Sequence, residues 1–222
     1  MFYNEYKYLV SNEKLPHVRD ILQAMLGGTD PFPEGCVDSL YFDTYDRRAY
    51  GECLNGDTRK RKFRIRGYGD NTFHQLHQKD KDIYGVSKMK AKIKPVTFSG
   101  LHVPQWYDLI PAAGDDTVFS QIQARACQSG FLMPTLRVRY YRYRFRCMDY
   151  RITLDTRIEF FSCSNGSDVR LDYAMIPQHV LEVKTSSERP HLPFLGIIRL
   201  PQTSFSKYFM GMNIIEQRVD CG

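Results

Sequence analysis

From Phe2 to Val10 the chain alternates: Glu5, Lys7 and Leu9 fall on one parity and Tyr6, Tyr8 and Val10 on the other, the two-residue period of a β-strand. The period then lengthens. Leu15, Val18, Ile21, Leu22, Met25 and Leu26 recur at helical spacing, with Ser11 or Asn12 placed to cap, Pro16 in the first turn and Gly27-Gly28 as the stop. Val37 to Thr44 reads as a strand, and a polar stretch holding Gly51, Asn55, Gly56 and Asp57 leads to the next. Further on, the spacing predicts a helix over Asp116 to Ser129 closed by Gly130, then strands at Thr135 to Cys147 and Tyr150 to Phe161. Asn165-Gly166 marks a turn, Val180 to Thr185 a short strand, and Ser204 to Ile215 a final helix after the Pro-containing stretch Arg189 to Pro201. No repeat or linker forces a boundary, so residues 1–222 are read as a single domain.

Charge changes this picture, because it follows the strand parity. Formal net charge is +6, yet residues 59–94 alone carry twelve Lys/Arg against three Asp, and residues 137–157 seven Arg against two Asp. Lys60, Lys62, Arg64 and Arg66 share one face while Phe63 and Ile65 share the other; Lys88, Lys90, Lys92 and Lys94 oppose Met89, Ala91 and Ile93. Arg151, Thr153, Asp155 and Arg157 oppose Ile152, Leu154 and Ile158, and Glu182 with Lys184 opposes Leu181 and Val183. Between Arg139 and Arg142 the parity of the arginines switches, which a bulge near Tyr140-Tyr141 explains.

A single such strand is an ordinary solvated sheet face. Several together repel one another across a sheet unless an anion neutralises them. The pattern therefore predicts an α+β, mainly antiparallel fold: an eight-stranded closed barrel whose lumen is lined by Lys and Arg, flanked by a few helices. Such a lumen suits phosphate, to which Arg presents a planar donor fork and Lys a mobile point charge.

Composition removes other classes. No run approaches the ~18 to 20 uncharged residues of a spanning helix, and the start lacks a basic region followed by an apolar run, so a soluble, cytoplasmic protein is expected. Cys36, Cys53, Cys127, Cys147, Cys163 and Cys221 form no C-x-x-C pair and read as reduced thiols. No G-x-x-x-x-G-K-[ST] loop is present.

The fragments E-Y-K-Y (Glu5 to Tyr8), S-L-Y-F-D-T (Ser39 to Thr44), K-F-R-I-R-G-Y-G (Lys62 to Gly69) and Q-K-D-K-D-I-Y-G-V-S-K-M-K (Gln78 to Lys90) are followed by R-I-T-L-D (Arg151 to Asp155), L-E-V-K (Leu181 to Lys184) and S-F-S-K-Y (Ser204 to Tyr208). In this order and spacing the chain resembles the VTC-type polyphosphate polymerase domain of the triphosphate tunnel metalloenzyme superfamily, over nearly its whole length. The resemblance implies an eight-stranded tunnel, ATP, triphosphate or polyphosphate as ligand, and Mn²⁺ or Mg²⁺ held by a tunnel carboxylate. Carried over by position, Lys7, Arg64, Arg66 and Glu182 are the implied catalytic residues. Lys79, Lys88, Lys90, Arg142, Arg157, Lys184, Ser206 and Lys207 are the implied phosphate ligands, and Glu182 with Glu5 the metal ligands.

One position departs from the family pattern. Similar sequences carry a Glu two residues before the first Lys of the third strand, where this chain has His77; a neutral imidazole brings no negative charge to a hard cation, so metal affinity and catalysis are in question. Asp43 and Asp155 read as structural, and His74 and His102 as surface histidines. Trp106 and most tyrosines read as packing, with Tyr68, Tyr140 and Tyr208 able to touch a ligand. Three functions follow in order: a polyphosphate polymerase-like phosphotransferase, a triphosphate or polyphosphate hydrolase, and a non-catalytic polyphosphate-binding module. Specific nucleic-acid binding is not expected, and a membrane partner would lie on another chain.

Overall fold

The computed structural model describes residues 4–69, 71–99, 102–163, 173–187 and 192–219. The strand start at Phe2, the Asn165-Gly166 turn and Cys221 lie outside them. In chain order the elements are β1 (Asn4–Val10), α1 (Leu15–Leu26), β2 (Glu34–Asp43), α2 (Arg48–Leu54), β3 (Lys60–Gly67), β4 (Thr72–Asp82) and β5 (Gly85–Thr97). A 3-10 turn (Trp106–Asp108) leads to α3 (Asp116–Ser129), β6 (Met133–Cys147), β7 (Tyr150–Ser162), β8 (Tyr173–Ile176), β9 (His179–Thr185), α4 (Pro193–Ile198), β10 (Gln202–Thr203) and α5 (Lys207–Val219).

Hydrogen bonding orders the strands β10-β1-β9-β7-β6-β2-β3-β4-β5, with β8 on β7. The fold is α+β and mainly antiparallel, as expected. The closed eight-stranded barrel is not: β10 and β5 end the ladder unpaired with each other among the described residues, so the sheet is open and holds ten strands. The two ends are mismatched in length, two residues against thirteen, and closure needs edges that can ladder.

Contacts divide the chain into two compact units. The first comprises Met1–Cys36, Arg139–Glu159 and Met175–Ser206. Its core takes the inward parity of three strands, Val10 of β1, Ile152 and Leu154 of β7 and Leu181 and Val183 of β9, together with Phe145 of β6. Val18, Leu22 and Leu26 cover it from α1, one turn apart, and Leu192, Phe194 and Ile198 from the α4 segment. Burying each such side chain contributes about 1.5–3 kcal/mol. Pro16 sits in the first turn of α1, and the Ser11 hydroxyl accepts from the Lys14 N–H at 3.4 Å. Asn12 is occupied elsewhere, its Oδ1 2.8 Å from His179 Nε2.

The second unit comprises Val37–Val138, Phe160–Ala174 and Lys207–Gly222. Its β3-β4-β5 meander turns Phe63, Ile65, Phe73, Leu76, Ala91 and Ile93 onto a core completed by Leu40 and Phe42 of β2 and by Phe119, Ile122 and Ala126 of α3. The β3-β4 register shifts at Arg66/Gly67. A Cβ on Gly67 would stand 1.8 Å from the Thr72 carbonyl oxygen, so the close approach at this shift admits glycine alone.

Two elements differ from expectation. Residues 48–54, read only as part of a polar stretch between strands, form α2, held by a side chain upstream: Asp43 Oδ1 accepts from the Ala49 N–H at 2.9 Å and Oδ2 from the Tyr50 N–H at 3.1 Å. The final helix starts at Lys207 instead of Ser204, because Gln202 and Thr203 are drawn out as β10 opposite Tyr8 and Lys7. Near the expected bulge the apolar parity of β6 does change, Leu136 and Val138 being buried on one parity and Phe145 on the other. The left-handed residue lies on β7, at Arg157 with φ 50°.

Candidate functional site

In the second unit, strand register sets the outward side chains of β3, β4 and β5 in cross-strand rows. Lys62 is opposite Lys79, which is opposite Lys88. Arg64 is opposite His77, which is opposite Lys90, and Arg66 is opposite Gln75, which is opposite Lys92. Thus Arg64, Arg66, Lys79, Lys88 and Lys90 share one face, as the parity predicts, with Lys62 and Lys92 beside them. Burial grades across it: Arg66 is buried, Arg64 and Lys79 half-buried, Lys88 and Lys90 exposed.

Directly opposed like charges repel, and the middle row escapes this through His77. Its ring is 1 % exposed. Burial, helped by Arg64, Lys88, Arg66 and Lys90, holds it far below the ordinary imidazole range, so it is neutral. Arg64 Nε donates to Nδ1 at 3.4 Å, which places the ring proton on Nε2, 3.0 Å from Gln75 Oε1. Both nitrogens are committed, and neither presents a lone pair to a cation.

Strand β2 supplies a feature that the sequence reading passed over. The Tyr41 hydroxyl accepts from Arg64 Nη1 at 2.8 Å and the Ser39 hydroxyl from Arg66 Nε at 3.0 Å, each across its own register pair. Tyr208 of the S-F-S-K-Y segment packs its ring 5.0 Å from that of Tyr41 and donates to Asp43 Oδ2 at 2.5 Å, while Lys62 stands 5.3 Å over the Tyr208 ring. Asp43 is structural, as read. Lys207 is the first residue of α5 in this unit.

The first unit holds a cluster of mixed sign. Register pairs Glu5 with Lys184 and Lys7 with Glu182 across β1 and β9, and Arg151 with Lys184 and Thr153 with Glu182 across β7 and β9. The Lys184 ammonium lies 2.8 Å from Glu182 Oε1 and 3.7 Å from Glu5 Oε2. Lys7 Nζ is 2.8 Å from Glu5 Oε1 and donates to the Phe205 carbonyl at 2.9 Å, tying β1 to the S-F-S-K-Y segment. Ser206 ends this unit, half-buried.

Arg142 faces the same neighbourhood with part of its fork already used. Nε and Nη2 grip the fully buried Asp155 at 2.6 and 2.7 Å. Burial works against this charge, but Asp155, Tyr140 and Glu182 more than compensate and hold the guanidinium well above its ordinary range. Arg157 is not brought into the cluster. It is exposed, with a left-handed backbone at φ 50°, and the alternation runs on through it, Ile152, Leu154, Ile158 and Phe160 all being buried on the other parity.

No group of three or more His, Cys, Asp or Glu is placed to hold a metal among the described residues. The donor set of the first unit nevertheless fits one, because Glu5 and Glu182 already converge on a single cation, the Lys184 ammonium. Mg²⁺ takes one or two carboxylates and completes its shell with phosphate oxygens and water, and Mn²⁺ shares that oxygen preference. His102 is exposed, and Cys163, its thiol pushed up to about 12 chiefly by burial, is unreactive.

Among solved structures, the chain is similar to a Bacillus halodurans protein described as a "putative adenylate cyclase", at 14% identity over 93% of this chain and 96% of that one, with a TM-score of 0.57. A Vibrio parahaemolyticus protein of the same description matches at 12% identity over 93% and 95%, TM-score 0.45, and a Pyrococcus horikoshii protein at 14% over 96% and 99%, TM-score 0.47. At 14% identity the likeness to the Bacillus halodurans protein concerns the fold alone. A search of curated proteins finds no match. The VTC domain family matches residues 2–216, and by that match over nearly its whole length the chain belongs to the VTC domain family.

Proposed function

We propose that the chain binds ATP, triphosphate or polyphosphate on its Lys/Arg faces and works as a polyphosphate polymerase-like phosphotransferase, with residues 1–222 acting as one functional domain. The observation that carries this reading is the set of rows Lys62-Lys79-Lys88, Arg64-His77-Lys90 and Arg66-Gln75-Lys92. Their period, one row of cations every second residue, suits a ligand whose charges also repeat along a chain. The VTC match supports the same ligand class.

Phosphoryl transfer asks a protein to align donor and acceptor and to offset charge on the transferring group. Arg64 and Arg66 are assigned the bidentate grip on non-bridging oxygens, and Lys79, Lys88 and Lys90 the point charges along the chain. In the first unit, Lys7 is held by Glu5 and the Phe205 carbonyl, and Lys184 by Glu182; with Arg142 they are assigned to phosphate. Ser206 and Lys207 are assigned a terminal phosphate, and Arg157 a peripheral one. A divalent cation, Mn²⁺ or Mg²⁺, on Glu182 and Glu5 supplies further charge neutralisation when bound. The protein is assigned to the cytoplasm, without specific nucleic-acid binding, any membrane partner being a separate chain.

A second reading has its own observation. Where the resemblance implies a carboxylate, His77 brings a neutral ring whose nitrogens are both engaged, which favours a polyphosphate-binding module without turnover. Incubation with ATP and Mn²⁺, beside Glu182→Ala, separates the cases on a polyphosphate gel run with a phosphate assay. Chain growth lost in the variant is expected. Orthophosphate without chain growth marks a hydrolase, and bound but unaltered ligand marks the module.

A further inference from the structure

The two arginines of the cationic face are each met from β2 by a hydroxyl, two residues apart, in the same geometry. Ser39 is the register partner of Arg66 and accepts from its Nε; Tyr41 is the register partner of Arg64 and accepts from its Nη1. Both are buried, and Arg66 is buried with them. An arginine side chain carries about 2 kcal/mol of rotamer entropy, which binding must otherwise remove. A hydroxyl that accepts from a guanidinium also keeps its own O–H, which a phosphate oxygen can take.

We propose, on the reading that this face binds condensed phosphate, that Ser39 and Tyr41 are positioning residues that aim the Arg66 and Arg64 forks at the ligand, and that ionisation of the Tyr41 phenol switches the site off in mild alkali. Ionised Tyr41 would place an anion 2.8 Å from Arg64, satisfying the guanidinium that the ligand needs and repelling the ligand itself. The groups around the phenol decide when this happens. From β3 it meets Arg64, Arg66 and Lys62; from β4 the neutral His77 lies beyond Arg64; from α5 the Tyr208 ring packs on it. Along β2, Ser39 is bonded to Arg66, and Asp43 is occupied by Tyr208 and the N–H groups of Thr44, Ala49 and Tyr50. Burial pushes the phenol up, and the three cations overcome it and bring it down to about 8.

The test uses the full chain and inorganic tripolyphosphate, titrated calorimetrically at pH 7 and pH 9 for the wild type, Tyr41→Phe and Ser39→Ala, with tyrosinate absorbance near 295 nm followed in parallel. The ligand's own titration is common to all three and cancels in the ratio. At pH 7, Tyr41→Phe is expected to bind several-fold more weakly, the effect of one hydrogen bond to a charged group. Between pH 7 and pH 9 the wild type should lose about tenfold relative to Tyr41→Phe, the fraction of phenol still protonated one unit above its pKa. Ser39→Ala should weaken binding and keep the pH dependence. One tyrosine should ionise near pH 8 in the wild type, vanish from the Tyr41→Phe titration, and shift upward with bound ligand. Equal affinities for wild type and Tyr41→Phe at both pH values overturn the positioning role, and no tyrosinate below pH 9 overturns the switch. A wild type that binds no tripolyphosphate at either pH overturns the anion-binding reading itself, and this inference with it.

Discussion

Arg64 and His77 face each other across β3 and β4, and the guanidinium Nε of the first lies 3.4 Å from the ring Nδ1 of the second. Burial above all, with this contact's help, holds His77 neutral in the middle of a cationic row, its pKa far below the ordinary imidazole value. A basic group depressed in this way is protonated in the unfolded chain below about pH 6.5 but not in the native one. The native state therefore loses about 1.4 kcal/mol per pH unit from His77 as pH falls below 6.5, and nothing above it. Urea unfolding from pH 7 to pH 5 should show this slope, and His77→Gln should reduce it to the share left by His179, whose pKa burial also lowers. An unchanged slope in His77→Gln would refute a neutral buried ring.

Introducing a carboxylate is a separate experiment at the same position. His77→Glu would place an acid opposite both Arg64 and Lys90. It should give this face a Mn²⁺ affinity of its own, measured by paramagnetic resonance of free ion. Metal-free tripolyphosphate binding should weaken at least threefold, since one negative charge is added among the cations. Stronger metal-free binding would contradict the charge accounting.

Arg142 and Asp155 form a buried pair, Asp155 being fully buried. Removing one partner leaves an uncompensated buried charge, which typically costs ~3–5 kcal/mol. Asp155→Ala is expected to destabilise the chain by that amount in equilibrium denaturation. Lys184→Ala, on a half-exposed side chain, should cost less than about 1 kcal/mol. A reversal of this ranking would show that the cluster near Glu182 is organised otherwise.

The faces were legible because a strand's period is two: Arg64 against Ile65, Lys90 against Ala91 and Glu182 against Val183 stand as the alternation requires. Helix α1 was legible from its Val18-Leu22-Leu26 stripe and α3 from its limits at Asp116 and Gly130. Helix α2 was not, because its first turn hangs on Asp43, five residues before Arg48, and its own sequence contains Gly51. Openness of the sheet was hidden too, since periodicity tells which way a side chain points and not which edge strands pair. Tyr41 read as one more aromatic until register placed its hydroxyl on Arg64.

The central claim is that the rows on β3, β4 and β5 bind condensed phosphate, and calorimetric titration of tripolyphosphate into the wild type and Arg64→Ala/Lys90→Ala tests it most directly. Both partners of His77 are removed in this variant while the apolar face beneath stays intact. The wild type should bind with an affinity that falls steeply as salt rises, and the folded variant at least tenfold more weakly with a shallower salt dependence. Undiminished binding by the variant, with thermal unfolding confirming its fold, would place the ligand elsewhere and contradict the account.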